Sequence, residues 1–238
     1  MHDLWLARFG SKTIGSFSWT DRSGTMGRRM SGISRQPRRI DQRVSRTRGR
    51  LARALISLGQ TRDIDDIGVG DLVRAAGVGR STFYAHFEDR DDFLGRSFAG
   101  MIAICDELAR REGLSTDILP VAHVVTHIAG NAAFSRRLGP SRSMEVMLGA
   151  GERHLRLIAE ANLEAAHPQL PPEGRRQTAA FLAGAFVGQL RLWLQNDFRT
   201  APETLIVAHR RLAGGVIEVL KATPPSPSPF DRKPVHVP

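Results

Sequence analysis

The sequence predicts an all-α protein in which a small amino-terminal helical domain precedes a larger one. Apolar residues recur at spacings of three and four in every patterned segment, which is the period of an amphipathic helix. No stretch alternates apolar and polar residues convincingly over the length that a half-buried strand needs. Gly and Pro residues mark where these helices end.

The small domain is predicted to span residues 43–92. Its first helix, 45–58, carries Leu51, Leu55 and Leu58 on one face and ends at Gly59. A short helix at 69–76 stops at Gly77, and a third covers residues 80–87. A fourth, longer helix begins after residue 89 and should connect this domain to the rest of the chain.

The larger domain is predicted to span residues 93–221. Pro and Gly residues near 139, 168–172 and 202 separate its segments. The further predicted helices are 117–134, 142–166, 173–197 and 202–221.

Both ends of the chain read as disordered. Residues 1–42 form a basic arm without helical or strand period, and residues 222–238 form a Pro-rich tail. The net charge of +10 is concentrated near the start, because residues 1–50 hold 12 Lys and Arg but only 3 acidic residues. Such a segment attracts a polyanion such as DNA, although a basic arm can also serve only to keep a chain soluble.

Several protein classes are disfavoured. The single cysteine, Cys105, permits no internal disulfide and fits a reducing cytoplasm. No amino-terminal stretch has the form of a secretory signal, and no apolar run approaches the roughly 20 residues of a bilayer-crossing helix. We therefore expect a soluble, cytoplasmic protein with no membrane partner. Cys105 lies on an apolar stripe, which favours a buried structural thiol over a redox sensor.

The most informative stretch is 69–87, which contains two short helices joined by a glycine turn. Gly77 can adopt the positive φ that the turn demands. Phe83 and Phe87 should pack the inner face of the second helix against the first, leaving its outer face free to read DNA. The polar residues of that outer face, which can reach base edges and phosphates, are Arg80, Ser81, Thr82, Tyr84 and His86.

The order of residues from 75 to 94, AAGVGRSTFYAHFEDRDDFL, resembles the most specific motif of the tetracycline-repressor (TetR) family of bacterial regulators. The resemblance implies that Tyr84 and His86 contact phosphates and that Arg80, Ser81 and Thr82 lie nearest the bases. Arg90 stands where the family usually carries a phosphate-binding lysine. From the basic segment we add Arg46 and Arg48 as DNA contacts.

One departure from the family pattern concerns Gly68, which stands where a threonine usually caps the second helix. Glycine is an acceptable cap but has no hydroxyl to offer a phosphate. Asp71, in the first turn of that helix, still supplies a carboxylate that complements the helix amino-terminus.

Three small residues, Ala180, Gly184 and Gly188, recur at intervals of four and form a flat stripe on their helix. Together with the helix at 202–221 this stripe suits a four-helix homodimer interface, which resembles subunit pairing in the family. Packing of the same stripe within one chain is the alternative interpretation.

A small-molecule effector site is predicted between helices of the larger domain. Its candidate polar and aromatic lining residues are His123, His127, Phe134, Phe186, Gln189 and Trp193. His123 and His127 lie one helical turn apart, but no acidic or thiolate partner stands at a diagnostic spacing, so no metal or other cofactor is expected.

These observations predict a ligand-responsive DNA-binding regulator, a repressor that binds a palindromic operator of double-stranded DNA as a dimer and is released by the effector. A different class is a basic architectural protein that coats nucleic acid through residues 1–50. Deleting residues 1–42 separates the two, because only the regulator keeps sequence preference. An all-α enzyme is the third hypothesis, but no catalytic constellation stands at a diagnostic spacing, and we expect no enzymatic activity.

Overall fold

The computed structural model describes residues 39–113 and 117–222, without side-chain detail for residues 39–43, 221 and 222. Those residues form nine α-helices and one 3-10 helix, Ile64–Asp66, and they contain no strand, as the all-α prediction expects. The α-helices are α1 (Arg39–Gly59), α2 (Val69–Ala76), α3 (Arg80–Tyr84), α4 (Arg90–Arg111), α5 (Val121–Gly130), α6 (Ala132–Leu138), α7 (Arg142–Ala166), α8 (Pro172–Gln195) and α9 (Pro202–Ala222).

Helix α1 begins at Arg39 rather than at residue 45, so the assignment of residues 39–42 to a disordered arm was wrong. Val44 gives the physical reason. It is half-buried and lies two turns before Leu51, so the apolar face continues further upstream than the leucines alone suggested. The remaining residues of the predicted arm, 1–38, and of the predicted tail, 223–238, lie outside the described residues.

The single helix predicted at 117–134 is two helices, α5 and α6, which meet at Asn131. The Nδ2 group of Asn131 donates a hydrogen bond to the carbonyl oxygen of His127 at 2.9 Å, so the side chain takes an acceptor that a continuing helix would use. Gly130, a poor helix former, precedes it.

One hydrophobic core runs through both halves of the molecule. Helix α4 leaves the small domain and packs along α7, which in turn packs along α8. Helix α6 lies against α1 and provides a second connection. Gly59 permits this approach, because a Cβ atom there would lie only 2.6 Å from Cδ2 of Phe134.

Candidate nucleic-acid interface

The turn between α2 and α3 has the predicted glycine geometry. Gly77 adopts φ 61° and ψ 43°, in the left-handed region. Its N–H donates to the carbonyl oxygen of Arg74 at 3.2 Å, and the N–H of Val78 donates to that of Val73 at 3.0 Å, a Schellman pattern. Nη2 of Arg50 donates to the carbonyl oxygen of Gly77 at 2.8 Å, so α1 also braces the turn.

The amino-terminus of α2 is capped as the sequence predicts. Gly68 is the N-cap residue, and Oδ2 of Asp71 accepts a hydrogen bond from the backbone N–H of Gly68 at 3.2 Å. Arg62 approaches the same oxygen at 3.4 Å. The hydrogen bond from Arg62, followed by that from Gly68, holds the pKa of Asp71 below its ordinary value, which keeps this carboxylate ionised beside the helix terminus.

Helix α3 has two distinct faces. Phe83 is fully buried, with its ring centroid 5.3 Å from that of Phe87 and 5.8 Å from that of Phe93. Tyr84 follows directly in the chain and is 55% exposed. Three aromatic rings therefore hold one side of this short helix in the core while the opposite side faces solvent.

The other residues predicted to read DNA lie at or near this outer face. Arg80 and Ser81 are exposed, and Thr82 is half-buried. The helix itself ends at Tyr84 rather than at residue 87, which corrects the predicted length. His86 is therefore in the turn that follows, where its N–H donates to the carbonyl oxygen of Phe83 at 2.9 Å.

His86 lies beside two arginines. Nη1 of Arg96 donates to the carbonyl oxygen of His86 at 3.0 Å, and the guanidinium groups of Arg48 and Arg96 lie 6.0 Å and 5.4 Å from the ring centroid of Phe87. Burial and then these two positive charges lower the pKa of His86, which keeps the imidazole neutral near pH 7. Sequence reasoning missed Arg96, because its contact with His86 depends on how α4 folds back on the turn after α3.

Arg90, predicted to bind a phosphate, makes several contacts within the protein. Its side chain is 19% exposed. Nε donates to the carbonyl oxygen of Ile67 at 2.7 Å, and Nη2 donates to that of Ile64 and, at 2.8 Å, to Oγ of Ser143. The guanidinium therefore joins the 3-10 helix to the start of α7, and most of its N–H donors are used within the protein.

Arg46, the last of the predicted DNA contacts, is exposed on α1, whereas Arg48 is half-buried against Phe87. The two differ because α1 turns them to different sides. Arg46 faces solvent with the outer surface of α1, and Arg48 faces the aromatic cluster under α3.

The six residues predicted to line an effector site lie in different surroundings. Phe186 and Gln189 come together around His209, a buried residue of α9 that the sequence did not single out. Nδ1 of His209 lies 2.8 Å from Oε1 of Gln189, and its ring centroid is 5.0 Å from that of Phe186. Burial lowers the pKa of His209, so a neutral imidazole is paired with the amide.

The other four candidates are placed elsewhere. Nε2 of His123 lies 3.1 Å from Oε2 of Glu112, and burial lowers the pKa of His127 to about 4. Trp193 donates from Nε1 to the carbonyl oxygen of Thr200 at 2.7 Å. Phe134 packs beside Gly59 at the junction of α6 and α1.

The predicted small-residue stripe of α8 faces outward. Ala180 and Gly188 are exposed and Gly184 is half-buried. Large apolar side chains accompany it, which the sequence reasoning did not pick out. Those more than half exposed on α8 and α9 are Phe181, Leu192, Val207, Leu212 and Val219.

Cys105 is buried, as expected, and burial followed by the charge of Asp106 raises the pKa of its thiol to about 12. Among the residues that the structure describes, no group of three or more His, Cys, Asp or Glu side chains could hold a metal ion. None of the described helices is both long and apolar enough to cross a membrane.

Comparison with known proteins places the match in the small domain. Residues 52–96 match the family model of bacterial regulatory proteins, tetR family. The HTH-type transcriptional regulator YxbF of Bacillus subtilis (strain 168) is 32% identical over 69 residues, 29% of this chain. That match spans only 18% of the length of YxbF.

Solved structures give longer but more distant matches. The dihydroxyacetone kinase operon activator DhaS is 16% identical, with a TM-score of 0.49 over 73% of this chain and 97% of its own. A TetR transcriptional regulator from Streptococcus agalactiae 2603V is 22% identical, with a TM-score of 0.42 over the same shares.

Proposed function

We propose that the chain is a transcriptional regulator of the tetR family, whose family model its residues 52–96 match, and that it binds double-stranded DNA through α3. The single observation that carries this proposal is the division of α3 into two faces. Phe83 is fully buried while its neighbour Tyr84 is 55% exposed, on a helix that begins with the exposed Arg80 and Ser81. A short helix fixed by aromatic rings and polar on its outer side fits a major groove.

The proposed DNA contacts fall into two groups, those to base edges and those to phosphates. Arg80, Ser81 and Thr82 stand at the start of α3 and meet base edges, while Tyr84 and His86 meet phosphates. Arg46 adds a phosphate contact from α1. Arg90 is left out of this interface, because its donors hold the 3-10 helix and α7 together.

The proposed DNA-binding unit is a homodimer formed by α8 and α9. The exposed apolar side chains on these helices, of which Phe181 and Leu212 are examples, form the kind of surface that marks a protein interface. Gly188 allows a partner helix to approach closely, since nothing lies within 4 Å of a Cβ atom built there. Two copies related by a twofold axis present two α3 helices to a palindromic site.

The dimer is tested by replacing Gly188 with arginine and measuring mass by sedimentation. Gly188→Arg is expected to give monomers and to weaken binding to a palindromic site, whereas Thr126→Arg, an equally exposed change on α5, should leave the dimer intact. A Gly188→Arg protein that remains fully dimeric would remove α8 from the interface.

A small-molecule effector is proposed to release the DNA, which makes the protein a repressor. The supporting feature is the pair formed by half-buried Gln189 and buried His209 beside Phe186, because a polar pair in an apolar setting can fix the orientation of a small ligand. A compound that weakens DNA binding of the wild-type protein but not of Gln189→Leu would support this site.

No catalytic role is proposed for the protein. In the proposed function it acts in the cytoplasm, where the DNA is.

The DNA-binding proposal is tested by selecting duplexes from a random library with the full-length protein. Enrichment of a palindrome with half-sites about 34 Å apart, or a multiple of that distance, is the expected result. Retention without any enriched sequence would instead support a basic architectural protein, and no retention at all would reject nucleic-acid binding.

A further inference from the structure

Three arginines form a stripe along the outer face of α1. Arg46, Arg50 and Arg53 lie at positions i, i+4 and i+7, so they point to the same side of the helix, and all three are exposed. We call them the α1 stripe. Seven residues of α-helix rise about 10 Å, so the stripe presents its charges over roughly that length.

The positive charge of the stripe is not neutralised by ion pairs with the described carboxylates. No acidic residue occurs between positions 42 and 62 of the sequence, and none of the carboxylates that the structure describes forms an ion pair with Arg46, Arg50 or Arg53. By contrast, most arginines of α4 have acidic neighbours on their own helix, as Arg110 has in Asp106 at 2.6 Å.

An open groove of about 330 Å³ runs beside the stripe, between α1 and the end of α2. Arg50, Arg53 and Ser57 form one wall, and the small side chains of Ala54, Ala75 and Ala76 line the rest. Because the alanine side chains are small, the guanidinium groups of Arg50 and Arg53 remain accessible from the groove.

The stripe is continuous with the proposed reading surface. Arg50 donates to the carbonyl oxygen of Gly77 in the turn, and α3 begins three residues later at Arg80. This single hydrogen bond uses one of the five N–H donors of the guanidinium, so it fixes the side chain and leaves the others available.

We propose that the α1 stripe binds phosphates of the DNA backbone next to the stretch that α3 reads, so that Arg50 and Arg53 extend the interface beyond the base contacts. The inference rests on the proposed function of α3. Guanidinium groups bind phosphate oxygens through two parallel hydrogen bonds, which matches the chemistry of the stripe. Contacts of this kind position the protein and add affinity without reading sequence.

The test uses the dependence of binding on salt. Each phosphate contact contributes about 0.9 to the slope of log affinity against log salt concentration. The probe is the duplex recovered by selection, extended by a helical turn on each side. With Arg46, Arg50 and Arg53 replaced by glutamine in both subunits of the proposed dimer, six contacts are lost and the slope should become shallower by about 5.4, while the preference for the selected over a scrambled sequence stays unchanged.

Two further variants control for charge and folding. Replacing the same three arginines by lysine should retain most of the slope, because the charge remains. Replacing Arg153 and Arg156 on α7 and Arg199 in the segment after α8 by glutamine removes the same charge from exposed positions and should not change the slope. Thermal unfolding of each variant shows whether the domain is intact. The lysine and glutamine variants both lose the Arg50 guanidinium that bonds Gly77, so a difference between their slopes reports the charge of the stripe and not a loosened turn.

The outcomes separate the two proposals. If the wild-type protein selects a sequence but the glutamine variant keeps the wild-type slope, the stripe does not bind DNA, and a partner with acidic groups becomes its alternative occupant. A lysine variant as shallow as the glutamine variant also overturns the phosphate contacts. If the wild-type protein retains no duplex, the function of α3 and the stripe fail together.

Discussion

Asp65 accepts hydrogen bonds from Ser143 across the boundary between the two halves of the molecule. Its Oδ1 accepts from the backbone N–H of Ser143 at 3.0 Å and from the Ser143 hydroxyl, and its Oδ2 accepts from the backbone N–H of Arg142 at 3.1 Å. These N–H groups belong to the first turn of α7, so a carboxylate of the 3-10 helix caps a helix of the larger domain. Arg90 joins the same cluster through Ser143.

Replacing Asp65 by asparagine should destabilise the protein by about 1 kcal/mol near pH 7, as expected for loss of a charged cap. Burial alone would raise the pKa of Asp65, but the hydrogen bonds from Ser143 and Arg142 and the charge of Arg90 outweigh it and lower the pKa. A lowered pKa contributes stability above the unfolded-state value of about 3.9, and this contribution disappears as pH falls through the folded-state value.

Urea unfolding of wild type and Asp65→Asn at about pH 7 and about pH 3 measures this difference, which should shrink at the lower pH. Asp63→Asn provides the matched control, because Asp63 makes no side-chain capping bond to the 3-10 helix. Equal effects of the two substitutions at neutral pH would contradict the capping role.

Gly77→Ala should cost about 1–2 kcal/mol, since a residue with a Cβ atom is strained at φ 61°. The new Cβ would also lie 2.7 Å from Nη2 of Arg50. Gly49→Ala in the middle of α1 is the comparison, where alanine should stabilise by up to about 1 kcal/mol. Opposite signs in thermal unfolding are expected, and a neutral Gly77→Ala would argue against the turn geometry.

Phe83→Ala and Tyr84→Ala should have very different effects on stability. Phe83 is fully buried among aromatic rings, so its truncation should cost about 3–5 kcal/mol. Tyr84 is mostly exposed, and its truncation should stay within about 0.5 kcal/mol. Chemical denaturation of the two single variants measures both values. Similar losses would mean that α3 does not have one inner and one outer face.

Gly151→Ala should destabilise the packing of α4 on α7 by about 1–3 kcal/mol, because the interface has no room for a methyl group. A Cβ atom there would lie 2.5 Å from Cε1 of Phe98 and 3.1 Å from Cδ1 of Ile102. Gly149→Ala, two residues earlier on α7, meets only the far end of Arg153 at 3.8 Å and should be neutral or stabilising. A lower unfolding midpoint for Gly149→Ala than for Gly151→Ala would contradict this packing.

Local signals in the sequence located several elements well. The bounds of α2 and α7 agree with the predicted 69–76 and 142–166, because glycine and proline residues interrupt the chain at their ends. The positive φ of Gly77 and the burial of Phe83 were predictable for the same reason, since both follow from turn chemistry and helical period within a few residues.

Features that depend on distant parts of the chain were not predictable in this way. Arg90 matches a phosphate-binding position of the family, but its partner Ser143 lies 53 residues further on. His209 and Gln189 come from different helices, and no spacing links them. The break at Asn131 was missed because apolar periodicity continues across it, and only the side-chain bond to His127 shows why the helix stops.

The central claim, that the outer face of α3 reads DNA, is tested most directly by the ratio of affinities for the selected and a scrambled duplex. Wild type should prefer the selected duplex by about a thousandfold or more. A protein with Arg80→Ala and Tyr84→Ala should lose that preference, keep weak salt-dependent binding to both duplexes and unfold at nearly the wild-type midpoint. Full retention of the preference by the double variant would contradict the assignment of α3 as the reading helix.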